Sequence, residues 1–215
     1  MKTLVVSCKT LQLEVEKALR ETGRDYPVLW IESGLHNFPD RLRANLQKVL
    51  DQVCAKRVLL AMGFCGNSVA GLVARDYELI IPRADDCITL LLGSSEERKR
   101  YERTYFLTKG WLDGERNIYE EYKYTLRKYG KEQGKDIIRM MLGHYQYMGL
   151  LDTGVYDFNT LIAQVGAIAD ELGLTLKIIP STVKRLEGLL TGPWSEEDFC
   201  IIAPNTEVSS CKLTL

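Results

Sequence analysis

The sequence predicts an α/β protein, a three-layer fold with a mostly parallel sheet and a helical insertion. In the first eighty residues, short β-branched apolar runs alternate with amphipathic helical segments, which is typical of parallel sheets covered by helices. The same alternation resumes at about residue 158, and between the two parts residues 109–150 are charged, rich in tyrosine and helical in pattern. Because no low-complexity linker separates these parts, residues 1–215 are assigned to one domain, with a two-lobed arrangement as the alternative.

Strands are predicted from β-branched apolar runs, and helices from apolar residues that recur at helical spacing. The first helix, for example, has Leu11, Val15 and Ala18 on one face and ends at Gly23. In chain order, strands are predicted at 3–7, 28–31, 58–62, 79–81, 104–107, 175–179 and 199–202. Helices are predicted at 10–22, 39–53, 66–74, 158–172 and 182–190.

Charge and composition exclude several classes of partner. Twenty-eight basic and twenty-nine acidic side chains leave a net charge of -1, so no overall field attracts a nucleic acid or an anionic membrane. The apolar run at the amino terminus is too short for a signal peptide, and glycines interrupt the longest apolar stretch, residues 58–74. We therefore expect a cytoplasmic protein without nucleic-acid or membrane partners, whose six cysteines are thiols, ligands or packing groups and not disulfides.

Soft metal ligands follow each of the first four predicted strands. Cys8, His36, Cys65 and Cys87 come after strands one to four in turn, and the carboxyl ends of parallel strands share one edge of a sheet. Three thiolates and an imidazole suit tetrahedral zinc, whereas three thiolates with one open position suit an iron-sulfur cluster. The sequence thus predicts a metal site at these four residues, with zinc and an iron-sulfur cluster both open.

The other cysteines do not share this placement. Cys54 precedes a strand, Cys200 lies within one and Cys211 lies in the tail, so these three are interpreted as packing or incidental thiols. The chain has no Cys-x-x-Cys pair, and the metal site therefore requires the fold to bring separate loops together. Buried packing thiols are the alternative interpretation of all six.

The glycine-rich turn at 63–71 offers a competing chemistry. A cysteine just ahead of a helix amino terminus has a stabilised thiolate, so Cys65 is a candidate nucleophile. The same turn could hold a phosphate at Gly66 and Asn67, and these two residues are candidate cofactor ligands. A tight turn that only packs a helix on a strand is the alternative.

Further candidates lie in the acidic pair and in the insertion. Asp85 and Asp86 could orient a ligand, act in acid-base chemistry or cap the next short helix. His144 is a candidate cofactor ligand if the insertion folds over the strand ends. The many tyrosines of this region, such as Tyr105 and Tyr145, either wall a flat cofactor or occupy half-buried helix positions.

Six short motifs occur in an order that resembles the domain-of-unknown-function family numbered 1638. They are Cys8 after the first strand, LHNFP at 35–39, GFCG at 63–66, PRADDC at 82–87, TYFLT at 104–108 and GHY at 143–145. The resemblance covers about residues 3–180. It implies an accessory protein of anaerobic one-carbon metabolism, associated with corrinoid-dependent methyl transfer, for which no catalytic activity is established.

The resemblance also implies site residues and partners. The family pattern has cysteines at the positions of Cys8, Cys65 and Cys87 and a histidine at that of His36. Many members have a further histidine where this chain has Asp86, which leaves His36, Asp86 and an exogenous group as alternatives for the fourth ligand. A corrinoid protein or a methyltransferase is the implied partner, with the corrinoid carried by that partner.

Three functional hypotheses follow from the sequence. The leading one is a metal- or iron-sulfur-binding accessory protein with a three-cysteine site. The second is a transferase or hydrolase that uses Cys65 as nucleophile, with Asp86 or His36 as base, and needs no metal. The third is a metal-free interaction module, so the sequence leaves open whether the protein is an enzyme.

Overall fold

The computed structural model describes residues 2–114 and 117–209, without the side chain of His36. The described strands form two sheets. In chain order they are β1 (Thr3–Cys8), β2 (Val28–Ile31), β3 (Arg57–Ala61), β4 (Glu78–Pro82), β5 (Thr104–Leu107), β6 (Tyr147–Asp152), β7 (Thr175–Pro180) and β8 (Phe199–Ile202). The larger sheet has the order β2-β1-β3-β4-β8 and the smaller one β5-β6-β7. Every pairing is parallel except that of β4 with β8.

The helices alternate with these strands. They are α1 (Gln12–Thr22), α2 (Pro39–Leu50), α3 (Cys87–Leu92), α4 (Ser95–Lys99), α5 (Lys109–Leu112), α6 (Ile118–Tyr129), α7 (Lys131–Leu142), α8 (Phe158–Leu172) and α9 (Lys184–Thr191). Two short 3₁₀ helices, Lys9–Leu11 and Leu35–Asn37, follow β1 and β2. Within the described ranges, no helix has the length and apolar character needed to cross a bilayer.

The larger sheet is the middle layer of three. Successive side chains of a strand point to opposite faces, so Val6 packs with Leu46 of α2 on one face and Val5 packs with Val15 of α1 on the other. Helix α9 joins α1 on this second face through Leu189. The arrangement confirms the predicted α/β class, a three-layer fold built on a mostly parallel sheet.

The smaller sheet has its own core and also contributes to the core of the larger one. Met148 and Leu150 of β6 pack with α7 and α8, whereas Leu151 points the other way and joins the cluster between the larger sheet and α1. The predicted insertion at 109–150 therefore consists of α5, α6 and α7 together with the start of β6. The assignment of the whole chain to one domain stays a prediction.

Strand β6 was missed by the sequence analysis. Its sequence, YMGLLD, lacks the β-branched residues that marked the other strands. Packing against the flanking strands explains why residue 149 is a glycine. A Cβ there would lie 2.5 Å from Ile179 Cδ1 and 2.6 Å from Thr104 Cγ2. The residue that weakens the strand pattern is thus required by packing across the sheet.

Candidate functional site

The order of the larger sheet brings Cys8 beside the segment that carries Cys65. The chain passes from β1 to β2 on one side and then to β3 on the other, so β1 and β3 are neighbours where the strand order reverses. Such a reversal leaves a crevice at the carboxyl ends of the strands, where α/β proteins bind ligands. Cys8 is the last residue of β1, and its Sγ accepts a hydrogen bond of 2.9 Å from Thr10 Oγ1.

Cys65 begins a left-handed turn. Cys65, Gly66 and Asn67 have φ of 44°, 66° and 63°, and Ser68 N donates to Phe64 O across them at 2.9 Å. A right-handed helix cannot contain such residues, so the helix predicted at 66–74 was wrong. The argument that a helix following Cys65 stabilises its thiolate fails with it. The backbone N–H of Cys87, the first residue of α3, favours the Cys65 thiolate instead, but burial outweighs this effect.

Two backbone hydrogen bonds join this turn to the segment after β4. Phe64 N donates to Ala84 O, and Cys65 N donates to Asp85 O, each at 2.8 Å. Gly63 allows the close approach, because a Cβ there would lie 2.5 Å from the Cα and carbonyl carbon of Asp86. The turn of Cys65 is thereby held against the start of α3, where Cys87 is the first residue.

Both carboxylate oxygens of Asp86 have partners. Oδ1 accepts from Thr89 N at 2.9 Å and from Thr89 Oγ1 at 3.0 Å, so Asp86 caps α3, one of the roles considered for the acidic pair, whereas Asp85 accepts from Ser95 Oγ. Oδ2 is paired with Arg98 of α4. Asp86 therefore has protein partners on both oxygens, and its charge lies close enough to Cys65 and Cys87 to affect their titration.

The environment keeps two of the thiols protonated. Burial, followed by the charges of Asp86 and Cys8, raises the pKa of Cys65 to about 12. Burial, followed by the charges of Cys65, Asp86 and Cys8, also raises the pKa of Cys87 well above 9.0. A neutral thiol is a weak nucleophile. The charge of Cys8 contributes to the shifts of both Cys65 and Cys87, so the three cysteines lie within electrostatic range.

A cavity of about 430 Å³ opens beside two of these cysteines, between the two sheets. It is lined by Asn37, Cys65, Gly66, Asp86, Cys87, Ile88, Arg98, Thr104, Tyr105, Phe106, Trp111 and Tyr145. A second cavity of about 620 Å³ shares Asn37, Tyr105 and Trp111 with the first and continues toward α6. The edge of the larger sheet that carries the cysteines, the cysteine edge, thus faces four aromatic side chains across the cavity. We call these the aromatic wall: Tyr105, Phe106, Trp111 and Tyr145.

The other predicted cofactor ligands have different positions. Gly66 lines the 430 Å³ cavity, whereas the carbonyl oxygen of Asn67 accepts a hydrogen bond from Arg43 at 3.2 Å. His144 is exposed, its carbonyl oxygen accepts from Arg103 Nε at 3.3 Å, and its neighbour Tyr145 lines the cavity in its place. The side chain of His36 lies outside the described part of the chain.

The remaining cysteines lie away from the cavity. Cys54 is exposed between α2 and β3, and Cys200 is buried in β8 within the core on the α2 face. Cys211 lies outside the described residues. Among the side chains that are described, no three of the types His, Cys, Asp and Glu lie in a metal-coordinating arrangement. The ligand cage therefore stays a prediction.

Sequence reasoning did not single out Arg98, Phe106 or Trp111, which complete the cavity. The Arg98 guanidinium lies 5.7 Å from the centre of the Phe106 ring and thereby links α4 to β5. Trp111 could have been found from its place after a strand, because it lies four residues past the end of β5, just as Cys65 lies four residues past the end of β3.

The comparisons with known proteins place the chain in a family. No curated protein and no solved structure matches it significantly. A family model described as "Protein of unknown function (DUF1638)" matches residues 30–190, a range that includes Cys65, Cys87 and the aromatic wall and begins after Cys8. Because this match spans well over half of the sequence, the chain belongs to the DUF1638 family.

Proposed function

We propose that this protein binds a metal ion or an iron-sulfur cluster through Cys8, Cys65 and Cys87 and exposes it to the cavity between the sheets. The observation that supports the proposal is that Cys8, Cys65 and Cys87 lie at or just past the carboxyl ends of three adjacent strands, β1, β3 and β4. Two of these cysteines also line the cavity. Three soft ligands with an accessible fourth position suit either zinc or a site-differentiated cluster.

The raised thiol pKa values favour a metal role over a nucleophilic one. A bound cation replaces the protons of its ligands and compensates the repulsion between neighbouring thiolates. The negative charge of Asp86, which opposes thiolate formation in the metal-free protein, attracts the cation. Binding therefore releases protons, and metal affinity rises with pH.

The fourth coordination position is the point at which the site meets a ligand. The alternatives are His36, Asp86 and a group that enters through the cavity, and Asp86 already bonds to Thr89 and Arg98. We favour the entering group, because Cys65 and Cys87 line an open cavity. His36→Ala should then keep the metal and change its reactivity toward small exogenous ligands, whereas loss of metal would identify His36 as the fourth ligand.

The family resemblance supports a setting for this site. It implies a partner that is a corrinoid protein or a methyltransferase of anaerobic one-carbon metabolism, which we propose as the protein that the metal centre serves. A cytoplasmic location is part of the same proposal. The site would act as an accessory centre, since the resemblance implies an accessory protein for which no catalytic activity is established.

Metal content tests the proposal directly. Protein purified without oxygen should contain zinc or iron by elemental analysis, with an ultraviolet-visible spectrum that distinguishes a cluster from zinc. Ser replacements at Cys8, Cys65 or Cys87 should each lower the content sharply. Cys54→Ser is the matched control, because Cys54 is exposed and distant from the cavity lining. Wild-type protein free of both metals after anaerobic purification and reconstitution would refute the proposal.

A further inference from the structure

Three aromatic rings from separate elements meet at the cavity beside the cysteines. Tyr105 comes from β5, Trp111 from α5 and Tyr145 from the segment after α7, and all three line the cavity. The Tyr105 centroid lies 5.7 Å from that of Trp111 and 5.3 Å from that of Tyr145. The protein thus gathers ring surfaces that are far apart in sequence at one wall of the site.

The angles between the rings decide what shape of ligand they accept. Tyr105 and Trp111 are inclined at 76°, and Tyr105 and Tyr145 at 87°. Rings at right angles form corners, and a corner offers two faces to a rounded group but only one to a flat one. The wall therefore suits a compact group, and it has no parallel pair of these rings to sandwich the flat cofactor considered from the sequence.

The charged residues that line the two joined cavities are Asp86, Glu120, Glu121, Arg98 and Arg127. Asp86 pairs with Arg98 and Glu120 pairs with Lys123, so these charges nearly balance and the aromatic faces supply the attraction for a cation. Three thiolates bound to a divalent metal would add negative charge at the cysteine end. Aromatic faces attract cations through the negative potential above the ring, most strongly when the cation is poorly hydrated.

We propose that this cavity binds a methylated quaternary ammonium group, with its methyls against Tyr105, Trp111 and Tyr145. Such a group is rounded, carries its charge over several methyls and has no N–H to satisfy, so it fits perpendicular rings with few hydrogen-bonding partners. The inference deepens the proposed function, because it names the ligand class that would lie beside the metal centre. Binding by the rings themselves does not require the metal.

A matched pair of probes isolates the charge. Choline and 3,3-dimethyl-1-butanol have the same shape, but only choline carries a positive charge. Isothermal titration calorimetry should show choline binding about tenfold more tightly than the neutral alcohol, the size expected when a cation meets two or more aromatic faces. Equal affinity for the two probes, or no binding of either, would overturn the inference.

Variants then locate the binding site. Tyr145→Leu should abolish the preference for choline, and the side chain is 37% exposed, so its removal leaves the core intact. Tyr129→Leu is the matched control, because Tyr129 is 44% exposed at the end of α6 and lines neither cavity. A choline preference that survives both Tyr145→Leu and Trp111→Leu would place binding elsewhere and contradict the proposal.

The two proposals fail separately. Metal-loaded protein that shows no choline preference would refute the ligand class and leave the metal site intact. Metal-free wild-type protein that still prefers choline would refute the metal site and leave the aromatic wall as the binding feature. Both readouts come from the same full-length preparation.

Discussion

Asp86 is the charged residue other than a cysteine that raises the pKa of both Cys65 and Cys87. It also caps α3 through Thr89 and pairs with Arg98. One side chain therefore links the helix start, the cavity wall and the protonation of the site. The charge and the cap can be separated, because asparagine caps a helix about as well as aspartate does.

Asp86→Asn should lower the pKa of Cys65 and Cys87, since a negative charge that opposes thiolate formation is removed. Stability should fall by less than about 1 kcal/mol, because the lost ion pair is partly exposed. Ultraviolet absorbance of the thiolates as a function of pH measures the first effect, and urea unfolding the second. Asp85→Asn is the control, since Asp85 accepts from Ser95 and is not among the charges that shift Cys65. Unchanged thiol titration in Asp86→Asn would contradict the assignment.

Thiol reactivity gives a second residue-scale prediction. In metal-free protein at about pH 8, iodoacetamide should modify the exposed Cys54 well before Cys65 and Cys87, since the thiolate is the reactive form. The rate at Cys65 should increase as pH rises toward its pKa of about 12. Peptide mapping by mass spectrometry identifies the modified positions. Rapid modification of Cys65 at neutral pH would favour the nucleophile hypothesis instead.

At the scale of elements, the contact between the turn after β3 and the start of α3 holds two cysteines together. The contact is backbone against backbone, with Cys65 N on Asp85 O and with no room for a Cβ at Gly63. Because only backbone atoms meet, neither segment can relieve a clash by rotating a side chain. The geometry of the site is therefore set by a glycine that carries no chemistry itself.

Gly63→Ala should destabilise the protein by roughly 1–3 kcal/mol, the usual cost of overpacking, and should lower metal content by separating Cys65 from Cys87. Gly166→Ala is the matched control within α8, where the new Cβ meets only Leu176 Cδ2 at an ordinary 3.7 Å. That change should stabilise the helix by about 0.5–1 kcal/mol. Urea unfolding with elemental analysis compares the two, and an unaffected Gly63→Ala variant would show that the loops can move apart without loss.

At the scale of the whole molecule, a buried carboxyl lies where α1 meets the smaller sheet. Glu14 is 0% exposed, and its Oε1 accepts from Thr153 Oγ1 at 3.0 Å, just past β6. Its Oε2 has no partner among the described residues, while the nearby Lys17 donates to Thr153 O at 2.9 Å. Burial outweighs these contacts and raises the pKa of Glu14. The protonation of one side chain is thus coupled to the packing between the two sheets.

Glu14 should make the protein less stable as pH rises from about 4.5 toward neutrality. A carboxyl whose folded pKa lies above its unfolded value contributes stability that is complete below the unfolded value and lost as pH rises through the folded one. Glu14→Gln should remove this component, because glutamine does not titrate. Urea unfolding of both proteins across this pH range gives the difference. Parallel stability curves would contradict the prediction.

Local side-chain patterns determined much of this protein. They marked most strands of both sheets, several with the observed bounds, and placed Cys8, Cys65 and Cys87 near the carboxyl ends of β1, β3 and β4. Periodicity, caps and breakers act over a few residues, so they can be recognised in one chain. The left-handed turn at Cys65 is local and could have been recognised, because Gly66 and Asn67 are the residue types that favour left-handed backbone.

The tertiary structure alone decided the properties that give the site its chemistry. The neighbouring positions of β1 and β3, the contact of Gly63 with Asp86 and the approach of Tyr105 and Trp111 to the cysteine edge each join segments that are distant in sequence. The pKa values of Cys65 and Cys87 depend on the same contacts, since burial and neighbouring charge are properties of the assembled fold. Residue types limit what a site can do, and the packing of distant segments decides which of those residues meet.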